Sequence, residues 1–276
     1  MTLRYIPDDM SPGAVAQVDS ILDAIRREHG VYIPLAIESG SRAWGFPSPD
    51  SDYDGRFIYV RPASQALTIW PRRDVIETPL VGDMDVNGWD LAKALRLLLK
   101  GNAVVVEWLQ SPILYTAQPW FRDEMLAFAD QWLDRDAVLT HYLHLGRRQQ
   151  ILYLSDQTEV SLKKLFYVLR PAMALRWLRL NPEKAVAPMH LPTLMAGCDL
   201  PGDLAGVIEG LRSRKAITRE MGTGALPDGR LGFVEGEFAA VNVFERPSGG
   251  RSAAAIEAAD ALFARVTIRL DDLSSA

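Results

Sequence analysis

The stretch Gly40-Ser41-Arg42-Ala43-Trp44-Gly45-Phe46-Pro47-Ser48-Pro49-Asp50-Ser51-Asp52-Tyr53-Asp54 decides how this chain is read. Before it lies Val31-Tyr32-Ile33-Pro34-Leu35-Ala36-Ile37, a short apolar run with β-branched residues that predicts a strand, with Pro34 pointing to an edge or a strand start. The Gly, Ser and Pro residues between Ser39 and Ser51 force a turn. A second strand is expected over Tyr53 to Arg61, where Phe57, Tyr59 and Arg61 share one parity and Asp52, Asp54, Arg56 and Ile58 the other.

A Gly-Ser pair that leaves a strand and enters a short helix allows close backbone approach and offers N–H groups and a hydroxyl to a phosphate. Ser41 is followed eleven residues later by Asp52, and Asp54 comes two further on. Alternation along a strand points this pair of carboxylates to one side, where they repel each other unless a cation sits between them. Hard oxygen ligands in a small cluster suit Mg²⁺, which draws its remaining ligands from water and substrate phosphates. The pair therefore predicts a metal together with a nucleotide.

A third carboxylate is offered by Asp85, flanked by Met84 and Val86 in a short strand expected around Val81 to Val86; Asp83, of the same parity, competes with it. Three converging carboxylates permit two metal ions roughly 3.5–4 Å apart, one activating an attacking hydroxyl and one neutralising the leaving oxygen.

Outward from this centre, Ser11 to Gly30 reads as a helix. Ser11 caps it, Pro12 suits its first turn, and Val15, Val18, Ile21, Leu22 and Ile25 recur at helical spacing. Residues 62–80 form a connection. Asp90 to Lys100 predicts a helix ended by Gly101, whereas Ala103-Val104-Val105-Val106 is ambiguous between strand and helix. After Pro112 the chain reads as almost wholly helical, with segments near 119–133, 136–154 and 160–180. The Gly-rich stretch from Met221 to Arg251 is expected to include a long loop. A last helix over Ser252 to Leu270 has Ile256, Ala259, Leu262, Phe263 and Val266 inward. The expected fold class is α+β: a small mixed β-sheet domain over 1–115, followed by a mainly helical domain over 116–276.

The chain has 276 residues, 48% hydrophobic and 24% charged, enough to bury a core without staples. The single cysteine, Cys198, makes no internal disulfide and implies no disulfide-linked partner, which fits a reducing compartment. No apolar run approaches the roughly 18 residues of a membrane span, and the opening residues lack a secretion-signal layout, so a cytoplasmic location without membrane partners is expected. The net charge of −5 argues against generic capture of nucleic acid, although a local basic face can still hold phosphates. His141 and His144 have no acid or cysteine nearby to complete a metal set, and no spacing supports a Ser/His/Asp triad. The seven tryptophans read as core, and Glu38 and Glu107 as polar neighbours of the site.

The order strand, Gly-Ser, Asp-x-Asp, then a later apolar-Asp-apolar strand resembles the DNA polymerase β-like nucleotidyltransferase superfamily. More closely, GSRAWGFPSPDSDYDGRFIYV (40–60), DVNGWDLAKALRLLLKGNAVVVEWLQSP (85–112) and SLKKLFYVLRPAMALRWL (161–178) are similar to predicted nucleotidyltransferases of the RNA-ligase-associated, RNA-repair type. The likeness runs with gaps from about residue 31 to about residue 220, and the 221–251 region does not match the family pattern. The resemblance implies Mg²⁺-dependent transfer of a nucleoside monophosphate from an NTP to an acceptor hydroxyl, with a tRNA-like RNA end or a protein as the acceptor. It matches Gly40 and Ser41 to the phosphate-binding turn, Asp52 and Asp54 to the metal pair, and Asp85 to the third carboxylate.

In the helical half, Lys163, Tyr167 and Arg170 fall on one face and offer a clamp for the triphosphate, with Arg42 as a further candidate. The simpler reading of Lys163 and Lys164 is a solvated face, and of Arg170 and Arg176 an ion-pair role. Two rivals keep the same motifs: a nucleotide-binding or antitoxin-like module that does not catalyse, and a metal-dependent phosphohydrolase.

Overall fold

A computed structural model describes residues 2–154, 160–219, 222–224, 230–241 and 252–275. Its first long element, α1 (Pro12–His29), begins where the Ser11 hydroxyl accepts the Ala14 amide at 3.4 Å and ends at Gly30 in the left-handed region. Six strands form one mixed sheet: β1 (Leu3–Tyr5), β2 (Tyr32–Glu38), β3 (Tyr53–Val60), β4 (Val75–Glu77), β5 (Met84–Asp90) and β6 (Leu114–Ala117). Their order across the sheet is β1-β6-β2-β3-β5-β4. Only β3 and β5 run parallel, and their register sets Asp54 opposite Asp85.

Strand alternation sorts the sheet's two faces. Phe57 and Tyr59 of β3, with Met84 and Val86 of β5, pack under α1 beside Val18 and Leu22. Ile58 and Val60, with Leu35 and Ile37, face the opposite layer of α4 (Leu91–Leu98), α5 (Ala103–Gln110), α6 (Pro119–Trp132) and α12 (Ala253–Ser275). A further core joins α7 (Arg135–Leu154), α8 (Leu162–Leu180), α9 (Leu191–Ala196), α10 (Leu204–Ile217) and α11 (Arg230–Ala240). The short helices α2 (Gly40–Ala43) and α3 (Ala63–Ala66) follow β2 and β3. The fold is α+β, with the sheet first and a mainly helical region after it.

Several expectations are corrected. Leu114–Ala117 is strand β6, not helix: it fills the place between β1 and β2, and four apolar-leaning residues are too short a signal to betray a buried strand. The connection over 62–80 contains α3 and the edge strand β4. The ambiguous Ala103–Val106 run is helical, because the Asn102 side chain accepts the Val104 amide at 2.9 Å and caps α5. Residues 81–83 precede the third strand, which extends instead from Met84 to Asp90. Asp83 is exposed and outside the strand, so Asp85 is the residue beside Asp54.

The Gly-rich stretch carries helix α11, while 221, 225–229 and 242–251 lie outside the described residues. In α12 Ala255 is buried and Ile256 is 44% exposed, reversing the expected inward face at that turn. Trp70 is likewise 76% exposed rather than core.

The last helix returns to the sheet. Ala259, Leu262, Val266 and Leu270 join the core on the α4 side, and Asp271 accepts the Ala63 amide at 2.9 Å. The link between the sheet and the helical region is the turn after α2. Phe46 is 1% exposed and stacks on Phe166 of α8, with ring centroids 4.8 Å apart. Three successive carbonyls of this turn are held from the helical side. Leu191 N–H donates to Trp44 O at 2.8 Å, Arg212 donates to Gly45 O at 3.3 Å, and the Lys215 ammonium donates to Phe46 O.

Candidate active site

Gly40 adopts φ +58°, a conformation that costs glycine little. A second constraint is spatial: a Cβ there would lie 1.9 Å from Asp54 Oδ2. The turn and the carboxylate are therefore in contact, and only a residue without a side chain fits between β2 and β3 at this point. Ser39 N–H donates to Asp54 O at 2.9 Å, and Asp54 N–H donates to Glu38 Oε1 at 2.9 Å. Glu38 is fully buried, and its other oxygen accepts the Tyr115 hydroxyl at 2.5 Å. Burial pushes the Glu38 carboxyl up to about 7, against the hydrogen bonds from Tyr115 and the Asp54 amide. Sequence reading placed Glu38 only as a neighbour; its buried contact with the Asp54 backbone follows from pairing that periodicity does not reveal.

Asp52 sits just before β3 and is exposed, while Asp54 is half-buried. Burial raises the Asp54 carboxyl above its ordinary value; Arg56 opposes this, and the charges of Asp85 and Asp52 reinforce it. Asp54, Asp85 and Asp52 thus share one electrostatic field. Arg56, two residues along the same face, donates to Asp54 Oδ1 at 3.0 Å and to Asp85 Oδ2 at 2.6 Å. The remaining Asp85 oxygen accepts Asn87 Nδ2 at 2.5 Å. Arg56 was not singled out from sequence, although its parity with Asp52 and Asp54 was the available signal.

Ser41 donates its hydroxyl to Ser51 Oγ at 2.9 Å, and Ser51 Oγ also accepts the Ser48 amide at 2.9 Å. These bonds close the loop that delivers Asp52. Arg42 braces the same loop, donating to the carbonyls of Ser51 at 2.7 Å and Asp52 at 3.2 Å, with its guanidinium 4.1 Å from the Tyr53 ring centre.

From the helical side, Lys163 pairs with Asp50 at 3.3 Å, on the loop between Ser41 and Asp52. The Tyr167 ring is half-buried and meets Trp44 edge-on at 6.0 Å. Burial raises its hydroxyl's pKa, and the charges of Asp54 and Asp52 add to the shift, which puts Tyr167 within their electrostatic reach. Lys164 lies 5.3 Å above the same ring. Arg170 is placed differently from the clamp expected on that helical face. It is 5% exposed, pairs with buried Glu107 at 2.5 Å and covers the Trp44 ring at 4.4 Å. Glu107 also accepts the Tyr142 hydroxyl at 3.0 Å and the Trp44 indole N–H at 3.4 Å. The arginine's fork is committed to this network, so it shapes the turn rather than facing a ligand.

Among the described residues no group of three or more His, Cys, Asp or Glu is gathered as a metal-ligand set. Magnesium needs less than that, since one or two carboxylates suffice when substrate phosphates supply further oxygens. Asp52 and Asp54 fit this demand, being hard donors on one side of the chain whose charges act on each other. Asp85, with its oxygens on Arg56 and Asn87, fits less directly. Also among the described residues, no helix is long and apolar enough to cross a membrane.

The chain is 39% identical over 216 residues to the uncharacterized protein YcgL of Bacillus subtilis (strain 168), which covers 78% of this chain and 82% of that protein. Residues 15–265 match the RNA repair pathway DNA polymerase beta family, a span that takes in every strand of the sheet but β1, the Gly-Ser turn, the three aspartates and most of the helical region. The chain belongs to that family of polymerase β-like nucleotidyltransferases.

Proposed function

We propose that this protein transfers a nucleoside monophosphate from an NTP to an acceptor hydroxyl, with Mg²⁺ as its metal and an RNA end as acceptor. The observation that carries the reading is the contact between Gly40 and Asp54, because it joins a phosphate-type turn to a carboxylate pair at one point. Ser41 and the backbone amides of the turn hold the β- and γ-phosphates. Asp52 and Asp54 hold Mg²⁺, which when bound neutralises charge on the triphosphate. Lys163, kept at the rim by Asp50, grips the triphosphate as a point charge, and Tyr167 offers its ring to the base.

The acceptor oxygen attacks the α-phosphorus, the bond from that phosphorus to the oxygen bridging to the β-phosphate breaks, and pyrophosphate leaves with the electron pair. The hydroxyl proton passes to solvent water on the side of Asp85, whose negative charge favours its departure. Positioning and charge neutralisation are the main demands of such chemistry, and both lie within what these residues can supply. RNA as the acceptor is supported by the family's description. A cytoplasmic setting is supported by the lone, buried Cys198 thiol.

The test is incubation of the full chain with each α-labelled NTP, Mg²⁺ and total cellular RNA or protein. Label in RNA with release of pyrophosphate is the expected outcome. Nucleotide consumption without an acceptor would indicate a phosphohydrolase, and tight NTP binding with no pyrophosphate would indicate a binding module.

A further inference from the structure

Negative charge converges on Arg56. Because Asp54 and Asp85 are register partners on parallel strands, the backbone presses two carboxylates together. The guanidinium lies between them. One terminal nitrogen donates to Asp54 Oδ1 at 3.0 Å and Asp85 Oδ2 at 2.6 Å, and the other donates to the carbonyls of Asp85 at 2.6 Å and Gly55 at 3.0 Å. The three side chains are 18%, 26% and 34% exposed for Arg56, Asp54 and Asp85, so water screens their charges only in part. Arg42 is a second cation in this field, but its donors go to the carbonyls of Ser51 and Asp52 rather than to a carboxylate.

An arginine so placed does what a divalent ion would otherwise do for this pair. Left unpaired, the Asp54–Asp85 pair, reinforced by the charge of Asp52, would attract free metal from solution. With Arg56 among them the patch carries one charge less, and the two oxygens facing its fork are already bonded. Asp52, outside the fork, remains open to solvent.

We infer that Arg56 is a resident counter-cation and positioning residue, which neutralises the Asp54–Asp85 pair so that the site rejects bare divalent ions and accepts the metal together with a triphosphate. This rests on the nucleotidyltransferase reading above and adds an order to it: metal and nucleotide enter as one complex, whose phosphate oxygens supply the ligands that Arg56 withholds. The planar fork is the reason for arginine here, because while one terminal nitrogen bridges both acids the other is fixed on the carbonyls of Asp85 and Gly55, an anchoring that a single ammonium does not reproduce.

Binding of Mn²⁺ to the full chain, followed by the loss of its free electron paramagnetic resonance signal, reads this directly without turnover. The wild type is expected to bind Mn²⁺ weakly and to bind it much more tightly when ATP is present. In Arg56→Gln, Mn²⁺ alone should bind about ten-fold tighter or more, the effect of removing one positive charge from a partly buried site, and the dependence on ATP should shrink. Arg56→Lys keeps the charge without the fork and should fall between the two; it also serves where the glutamine variant does not fold. Affinity for Mn²⁺ alone that is unchanged or weaker in both folded variants, or in the lysine variant when it is the one that folds, overturns the inference. Asp52→Asn separates this from the reading beneath it. If that variant leaves Mn²⁺–ATP binding intact the metal pair is wrong, whereas if it weakens binding while the Arg56 variants bind Mn²⁺ no tighter, only the counter-cation role fails.

Discussion

Glu38 and Tyr115 share a 2.5 Å hydrogen bond inside the sheet, Glu38 on the strand beside the one that carries Asp54 and Tyr115 on the strand beyond that. Burial raises the Glu38 carboxyl from its ordinary 4.5 to about 7. An acid raised in the folded state contributes stability that is complete below the unfolded value and is lost as pH rises through the folded one. Unfolding free energy should therefore fall by about 3 kcal/mol from this group as pH climbs from near 4.5 past 7. Urea unfolding at stepped pH checks it: Glu38→Gln should flatten that slope, and a slope identical to wild type would remove Glu38 as its source.

Gly40→Ala should be damaging out of proportion to one methyl group. It combines a left-handed backbone with an atom 1.9 Å from Asp54 Oδ2. The expected destabilisation is about 1–3 kcal/mol, with loss of nucleotide binding as the carboxylate is pushed aside. Chemical denaturation and titration with a fluorescent NTP analogue measure the two effects; a variant that binds nucleotide normally would show that Asp54 can move without consequence.

Asp52→Asn should leave the thermal midpoint near the wild-type value, since the side chain is exposed, yet cut labelled nucleotide transfer by about 10²-fold or more. Transfer at the wild-type rate would exclude Asp52 from the metal pair.

Arg170→Met tests the reassignment of that residue. It leaves Glu107 charged, buried and short of its main partner, a change that costs about 3–5 kcal/mol. Lys163→Ala, at a part-exposed pair, should cost less than about 1 kcal/mol. Under conditions where both are folded, Lys163→Ala should weaken triphosphate binding more than Arg170→Met does. The reverse order would return Arg170 to the ligand.

Cys198 should resist alkylation in the native state, because it is fully buried and burial pushes its thiol up to about 12. Mass spectrometry after iodoacetamide treatment with and without urea distinguishes native protection from intrinsic inertness.

The centre of the fold was legible because its signals are local. A cap at Ser11, a stop at Gly30 and two short apolar runs around a Gly-Ser-Pro turn each act within a few residues, and the structure has α1, β2 and β3 there. Strands β1, β4 and β6 were missed for the opposite reason. Each is three or four residues long; β1 and β6 owe their conformation to neighbours distant in sequence, as Leu3 owes its place to Ala117, and β4 is held at the sheet edge by β5 alone. The same limit governs the candidate site. Alternation along one strand put Asp52, Asp54 and Arg56 on a common side, but only the parallel register shows that Arg56 reaches Asp85. Lys163 and Arg170, equivalent on a helical wheel, part company because Glu107 waits beneath one and Asp50 beside the other.

The return of α12 to the sheet bears on how the protein is made. A ribosome extends the chain from its first residue, so Leu35, Ile37, Ile58 and Val60 emerge long before Leu262 and Val266 can complete their shelter. Until then the nascent sheet exposes an oily flank, and a chaperone that shields such flanks should be found on ribosomes stalled short of residue 253 and absent from the released chain in which α12 has docked.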